Sequence, residues 1–83
     1  MILTVDIGNS NIVIGGVEGE EILFEARLRT DATKTSDEYC VDLKSLLDVY
    51  RVDAESIEGA IIGSVVPQVL NSFQTAIKKL TGK

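Results

Sequence analysis

Histidine and tryptophan are absent from this 83-residue chain, and cysteine and proline each occur once. A single cysteine, Cys40, forms no internal disulfide, and the lack of histidine excludes a zinc site of the usual histidine and cysteine type. Long apolar runs are also missing, since residues 61–66 form the longest, whereas a membrane span needs about 20 apolar residues. The sequence therefore predicts no disulfide framework, no zinc centre and no membrane segment.

Positive charge is scarce as well, because eight Lys and Arg stand against 13 Asp and Glu and leave a net charge of −5. Binding along a nucleic-acid backbone needs clustered basic residues, so we expect no nucleic-acid partner. Met1 leads directly into an apolar segment with no basic stretch before it, which predicts no signal peptide and a soluble, cytoplasmic protein. Hydrophobic residues make up 45% of the chain, a composition typical of one small globular domain.

Hydrophobic patterning predicts the element order β-β-β-α-β-α. Residues 1–6, 11–17 and 21–30 read as three strands, and the polar turn Glu18-Gly19-Glu20 joins the second to the third in an antiparallel meander. The third strand alternates apolar and polar residues, which places four side chains on one face: Ile22, Phe24, Ala26 and Leu28. Residues 59–66 form a fourth strand that is continuously apolar, which predicts a central position in the sheet.

Two helices are expected between and after these strands. Thr35-Ser36-Asp37-Glu38 is a capping box, so a helix begins there and runs to about Tyr50. Its predicted apolar face consists of Cys40, Leu43, Leu47 and Tyr50, with Leu46 alongside. Pro67 suits the first turn of the second helix, whose face is Val69 or Leu70, Phe73, Ile77 and Leu80. In this setting Asp37 and Glu38 favour a capping role over catalysis.

The segment Asp6-Ile7-Gly8-Asn9-Ser10-Asn11 joins the first two strands and carries the most distinctive chemistry. Gly8 would permit positive φ and bring amide groups close to a ligand. Asn9, Ser10 and Asn11 add short polar side chains, and the Asp6 carboxylate suits a hydrated divalent cation. The alternative is a tight hairpin whose polar residues only satisfy their own backbone. Residue chemistry alone supports a phosphate-binding turn and a structural hairpin equally.

The element order and this acidic turn together resemble the actin-like (ribonuclease H-like) ATPase fold of sugar kinases, Hsp70 and actin. Within that superfamily, Asp6-Ile7-Gly8-Asn9-Ser10 followed by Gly15 is similar to the type III pantothenate kinase pattern, with serine at Ser10 where threonine is commoner. Three further stretches agree with the pattern: Arg29-Thr30 followed by Thr33 and Thr35, then Asp37-Glu38-Tyr39, and Ser64-Val65-Val66-Pro67. The resemblance covers essentially the whole chain.

The resemblance implies a kinase that phosphorylates pantothenate with ATP to 4′-phosphopantothenate, a step in coenzyme A biosynthesis. It implies ATP, Mg²⁺ and a monovalent cation (K⁺ or NH₄⁺) as cofactors, pantothenate as the small-molecule partner, and a homodimer for the full-length enzyme. Asp6 is the expected metal ligand. The residues expected to bind ATP form one segment: Asp6, Ile7, Gly8, Asn9, Ser10, Asn11, Ile12 and Val13.

The resemblance also implies that this sequence lacks part of the enzyme. Residues 1–83 correspond to the N-terminal portion of the first actin-like domain, with the phosphate-binding hairpin at residues 6–15 and the second domain absent. The family's Gly-x-Asp-Arg stretch, whose aspartate is taken as the general base, does not occur. We therefore expect no catalytic residue in this chain and an inactive fragment. Two alternatives are a non-enzymatic accessory regulator of transcription and an actin-like assembly module.

Overall fold

The architecture is one four-stranded mixed sheet with two helices packed on one of its faces. The computed structural model describes all 83 residues. The elements are β1 (Ile2–Ile7), β2 (Asn11–Glu18), β3 (Glu21–Arg29), α1 (Ser36–Val49), a 3₁₀ turn (Ala54–Ser56), β4 (Gly59–Ser64) and α2 (Pro67–Thr81). This order confirms the predicted β-β-β-α-β-α fold class. Neither helix has the length and hydrophobicity that crossing a bilayer requires.

The strands lie in the order β3-β2-β1-β4, with the first three antiparallel and β4 parallel to β1. Gly19 has a φ of +60° in the tight turn between β2 and β3, where Glu18 pairs with Glu21, as the sequence predicted. The prediction that β4 is central is wrong within this chain, because β4 lies at one edge. Its residue Ile61 is 69% exposed. A continuous apolar run was therefore not sufficient to predict whether the strand is central or at an edge of the sheet.

A register shift in the pairing of β2 with β3 corrects the predicted face of β3. Between Gly16 and Val17 the pairing skips Leu23, so that Gly16 faces Phe24 while Val17 faces Ile22. An extra residue in one strand reverses the side of every residue beyond it. Ile22 is therefore 66% exposed on the face opposite to Phe24. The predicted alternation holds only for Phe24, Ala26 and Leu28.

Helix α1 begins where the capping box predicted. The Glu38 N–H donates to Thr35 Oγ1 at 3.1 Å, and the Glu38 carboxylate accepts from the Thr35 N–H at 2.9 Å. The buried face of α1 consists of Tyr39, Leu43 and Leu47. The prediction placed Cys40 and Tyr50 there instead, but Cys40 is half-buried and Tyr50 is 44% exposed. Tyr39 has no exposed surface and makes an edge-to-face contact with Phe73 of α2, with ring centroids 5.4 Å apart.

Helix α2 begins at Pro67, as predicted, and buries Val69, Phe73 and Ile77 together with Ala76. Its last turn holds Lys78 and Lys79, and it ends at Gly82, which has a φ of +75°. Cations near a helix C-terminus and a left-handed glycine just beyond it are both favourable.

The two faces of the sheet differ completely in cover. On the covered face, both helices pack against alternate strand residues, which are Leu3, Val5, Ile7, Ile12, Ile14, Phe24 and Ala26. No element of this chain covers the other face, which we call the open face. The intervening strand residues lie on it, including Thr4, Asp6, Val13, Gly15 and Gly63. Strand side chains alternate between faces, so every residue of β1 belongs to one of these two environments.

Candidate functional site

The turn between β1 and β2 consists of Gly8, Asn9 and Ser10. It is closed by a hydrogen bond from the Gly8 N–H to the Asn11 carbonyl oxygen, 2.9 Å. A Cβ at residue 8 would lie 3.2 Å from that same oxygen, so the close approach of the backbone favours glycine. Gly8 does not use the positive φ that glycine permits, because only Gly19 and Gly82 have positive φ among the glycines. Space, rather than handedness, is what the turn requires of Gly8.

The tip of the turn presents hydrogen-bond donors that nothing in the protein uses. The N–H groups of Asn9 and Ser10 have no backbone or side-chain acceptor. Both residues are exposed, as is Asn11, and their side chains make no hydrogen bond within the chain. A structural hairpin whose polar side chains satisfy their own backbone would show such bonds. The turn is therefore free to donate to an anion from outside.

Asp6 projects from the open face one residue before the end of β1. Val13 of β2 and Gly63 of β4 flank it in the sheet. No atom lies within 4 Å of the position that a Cβ on Gly63 would occupy, so one side of Asp6 is bare backbone. Asp6 is exposed and forms neither an ion pair nor a hydrogen bond. Its carboxylate is available to a ligand that approaches along the open face.

The other residues of the predicted segment divide between the two faces. The side chains of Ile7 and Ile12 have no exposed surface and belong to the core, so only their backbone atoms are near the turn. Val13 lies on the open face beside Asp6 and is half-buried. Alternation along β1 and β2 thus limits the accessible side chains of the segment to Asp6, Asn9, Ser10, Asn11 and Val13.

Thr30, immediately after β3, is the residue at this site that sequence reasoning did not assign. Its N–H donates to the Ser10 carbonyl oxygen at 3.0 Å, and its Oγ1 donates to the Gly8 carbonyl oxygen at 2.8 Å. Arg29, the residue before it, is exposed, whereas Thr30 is half-buried and bonded. The Arg29-Thr30 pair stood out in the sequence, but nothing local indicated a contact with the turn.

No group of three or more Asp, Glu or Cys side chains gathers to hold a metal ion. Asp6 is therefore a single carboxylate at the turn. The two surface hollows lie elsewhere: one of about 260 Å³ between β4 and α2, and one of about 310 Å³ beside the start of α1. Neither is lined by Asp6 or by the turn, because the end of the sheet is an open surface rather than a cavity.

Three acidic residues outside the turn have structural partners. Asp37 pairs with Lys79 of α2 at 2.7 Å, and Glu38 completes the cap of α1, as the capping interpretation predicted. Asp31 accepts from the N–H and the hydroxyl of Thr33, and these hydrogen bonds lower the pKa of the Asp31 carboxyl.

The amino terminus is tied to the end of β4 away from the turn. The Met1 ammonium donates to Glu58 Oε2 at 2.8 Å and to the Ser56 carbonyl oxygen at 3.1 Å. The hydrogen bond to Glu58, with the nearby charges of Glu58 and Glu18, raises the pKa of the ammonium above 8.0. The same bond lowers the pKa of the Glu58 carboxyl below 4.5.

The fold is the mixed α/β arrangement of the first half of an actin-like fold, with an acidic residue and a glycine turn at the end of its first strand. A family model of type III pantothenate kinases matches residues 2–82. The chain belongs to the type III pantothenate kinase family.

Three curated type III pantothenate kinases illustrate the similarity. That of Finegoldia magna is 44% identical over 82 residues, which cover 99% of this chain and 31% of the relative. That of an Exiguobacterium species is 49% identical over 70 residues, 84% of this chain and 28% of the relative. That of Bifidobacterium longum subsp. infantis is 43% identical over 82 residues, which cover 99% of this chain and 32% of the relative. The chain spans about a third of the length of these relatives.

Proposed function

We propose that this chain provides the phosphate-binding part of a type III pantothenate kinase, which transfers a phosphoryl group from ATP to pantothenate and yields 4′-phosphopantothenate for coenzyme A biosynthesis. The observation that carries the proposal is the free turn at the end of β1, with unpaired N–H groups on Asn9 and Ser10 and the unpaired carboxylate of Asp6 close by. Membership of the kinase family supports the identification of the anion as the triphosphate of a nucleoside triphosphate.

The turn residues suit phosphate oxygens. Backbone N–H groups in a glycine-bearing turn form concave anion sites, and here the donors of Asn9 and Ser10 are free. The side chains of Asn9, Ser10 and Asn11 add hydroxyl and amide donors on exposed positions. Phosphoryl transfer depends mainly on positioning and charge stabilisation, which such donors supply. The proposed ATP-binding segment remains residues 6–13, with Ile7 and Ile12 contributing backbone only.

Asp6 suits Mg²⁺ better than a metal that needs a cage of protein ligands. Mg²⁺ retains several waters and is held by one or two carboxylates together with substrate phosphates. A lone, exposed carboxylate next to the bare backbone of Gly63 fits that requirement. When bound, Mg²⁺ neutralises charge on the phosphates. We also propose a monovalent cation, K⁺ or NH₄⁺, as a cofactor, and we assign no residue of this chain to bind it.

No residue of the chain is proposed as the general base, so we expect negligible kinase activity from these 83 residues alone. We place them in the N-terminal portion of the first actin-like domain. The complete kinase is proposed to be a cytoplasmic homodimer whose small-molecule partner is pantothenate. The chain's contribution would be to bind and orient the triphosphate.

The test uses two proteins. In the first, this chain replaces the matching segment of the Finegoldia magna kinase, giving a joined protein of full length; the second is the 83-residue chain itself. Both are assayed for ATP-dependent phosphorylation of pantothenate, in K⁺ and in Na⁺. We expect turnover in the joined protein, stimulated by K⁺, and none in the chain. A joined protein that folds but does not bind MgATP would contradict the proposal. Turnover by the chain alone would contradict the expectation that the chain lacks the general base.

A further inference from the structure

Thr30 binds the turn at two points on either side of Asn9. Its N–H holds the carbonyl of Ser10, and its hydroxyl holds the carbonyl of Gly8, at 3.0 and 2.8 Å. The side chain is half-buried, and 22 residues of sequence separate it from Gly8. A residue outside the turn thus fixes two of its peptide groups.

Peptide geometry converts this contact into an orientation. The chain has no cis peptide bond, so the Gly8 carbonyl and the Asn9 N–H lie on opposite sides of one planar unit. Because the Gly8 carbonyl points to Thr30 Oγ1, the Asn9 N–H must point away from Thr30. That N–H is one of the two at the tip without an acceptor in the protein. The Thr30 hydroxyl therefore sets the direction of a free donor.

Thr30 is itself anchored to the core through the next residue. The Asp31 N–H donates to the Tyr39 hydroxyl at 2.9 Å, and that hydroxyl donates to the Asp31 carbonyl oxygen at 2.7 Å. Tyr39 has no exposed surface and packs edge-to-face on Phe73. A continuous set of contacts thus runs from the interface of α1 and α2 through Tyr39, Asp31 and Thr30 to the turn.

We propose that Thr30 is a positioning residue of the turn formed by Gly8, Asn9 and Ser10. Its hydroxyl fixes the Gly8–Asn9 peptide so that the Asn9 N–H faces a phosphate oxygen. Tyr39 in turn fixes Thr30 through Asp31. The inference rests on the proposed function, since the turn's role as a phosphate site is part of that proposal. Thr30 touches no reacting atom, so its loss should weaken triphosphate binding more than it slows the chemical step.

The joined protein described above provides the test, with Thr30→Val as the main variant. Valine keeps the shape of threonine and the backbone N–H to Ser10 but removes the hydroxyl donor. We expect KM for MgATP to rise about tenfold, the effect of one lost hydrogen bond, with kcat changed less than about twofold. Thr30→Ser retains the hydroxyl and should remain within about twofold of the unaltered protein in KM.

Thr81→Val is the matched control, because Thr81 Oγ1 donates to the Ile77 carbonyl oxygen at the same 2.8 Å, in α2 and not at the turn. Its KM should not change. In the nucleotide-free chain, the amide NMR resonance of Asn9 should move in Thr30→Val and stay in Thr81→Val. A purely structural role for Thr30 would lower stability without changing either the KM or the Asn9 resonance of the folded protein.

The outcomes separate the inference from the proposed function. An active joined protein whose KM for MgATP is unchanged by Thr30→Val overturns the inference and leaves the function standing. A folded, unaltered joined protein that binds no MgATP overturns both. If Thr30→Val does not fold, Tyr39→Phe replaces it, since phenylalanine keeps the ring and loses only the hydroxyl. We then expect a KM increase of about threefold, smaller because Tyr39 acts through Asp31; an unchanged KM overturns the inference.

Discussion

The two faces of the same sheet differ in cover and in accessibility. On the covered face, Leu3, Ile7, Ile12 and Ile14 have no exposed surface and belong to one core cluster with side chains of both helices. On the open face, β1 and β2 carry Thr4, Asp6 and Gly15, and β4 carries Gly59, Ile61 and Gly63. Since neighbouring residues of one strand point to opposite faces, a single residue step separates the hydrophobic core from the proposed chemistry.

This separation distinguishes the residues that stabilise the fold from the residues of the proposed site. Core side chains hold β1 in place, whereas on the open face Gly63 leaves free space beside Asp6. Substitutions on the two faces should therefore have different consequences even when the residue types match. The four predictions below compare matched changes or isolate one group, from the largest expected effect to the smallest.

The largest contrast is between two isoleucines in strands. Ile14 on the covered face has no exposed surface, and Ile61 on the open face is 69% exposed. We expect Ile14→Ala to lower the free energy of unfolding by about 2–5 kcal/mol, because it leaves a cavity in the core. Ile61→Ala should change it by less than about 0.5 kcal/mol. Urea unfolding of both variants measures the difference, and equal losses would show that the open face is also packed in solution.

Asp6→Asn separates charge from shape at the proposed site. Asparagine keeps the size and hydrogen-bonding capacity of aspartate but removes the charge. In the joined protein we expect kcat/KM to fall on the order of 10²-fold or more, roughly 3 kcal/mol of transition-state stabilisation. The free energy of unfolding without nucleotide should change by less than about 1 kcal/mol, since Asp6 is exposed. If the variant unfolds while its folded fraction keeps full activity, Asp6 is a structural turn residue.

Two glycines test the role of space on each face. A Cβ at Gly16, on the covered face, would lie 2.6 Å from Met1 Sδ and closer still to the Phe24 ring. Gly16→Ala should therefore cost about 1–3 kcal/mol through overpacking. Gly63→Ala meets no atom within 4 Å and should leave stability unchanged or raise it by about 0.5 kcal/mol.

Activity distinguishes Gly63 from a neutral surface position. Its added methyl group would stand beside Asp6 in the sheet, so in the joined protein we expect Gly63→Ala to raise KM for MgATP. Thermal unfolding and steady-state kinetics on the same preparations provide both measurements. Normal kinetics in Gly63→Ala would show that ligand does not approach Asp6 across β4.

The smallest effect concerns the pair formed by the Met1 ammonium and Glu58. The ammonium pKa is raised, so its stabilisation is present below pH 8.0 and is lost as pH rises through the raised value. The Glu58 pKa is lowered, so its stabilisation is present above pH 4.5 and is lost as pH falls through the lowered value. Glu58→Gln should therefore lower Tm slightly at pH 6, and the difference should shrink as the pH falls below 4.5 and as it rises above 8.0.

Glu55→Gln is the control for this pair, because Glu55 is exposed and forms no ion pair. Its Tm should follow that of the unaltered chain at every pH. A Tm difference for Glu58→Gln that persists unchanged from pH 3 to pH 11 would mean that the pair contributes nothing through its charges.

Features encoded by adjacent residues were predictable from the sequence. The capping box at Thr35 and Glu38, the turn at Gly19 and the start of α2 at Pro67 each depend on residues a few positions apart, and all three predictions are confirmed. The acidic turn at Asp6 was recognised by its residue types, and the structure leaves its donors free, although its binding role is still a prediction.

Features that depend on distant residues were not predictable. Tyr39 and Cys40 lie four and three residues before Leu43, so both fit the helical period. Tyr39 faces the core because its ring packs on Phe73 and its hydroxyl binds Asp31. Ile22 changes face because β2 and β3 pair with a register shift. The contact of Thr30 with Gly8 spans two strands, so composition gave no sign of it.

The parallel pairing of β1 with β4 has a consequence for the order of folding. Ile2 meets Gly59 only after the chain has closed a loop that contains β2, β3 and α1. The turn and its Thr30 contacts lie within the first 30 residues, in a meander of short loops. Short loops close with less entropy loss than long ones, and local pairings form faster. We therefore expect the turn to assemble early, before β4 docks and completes the sheet.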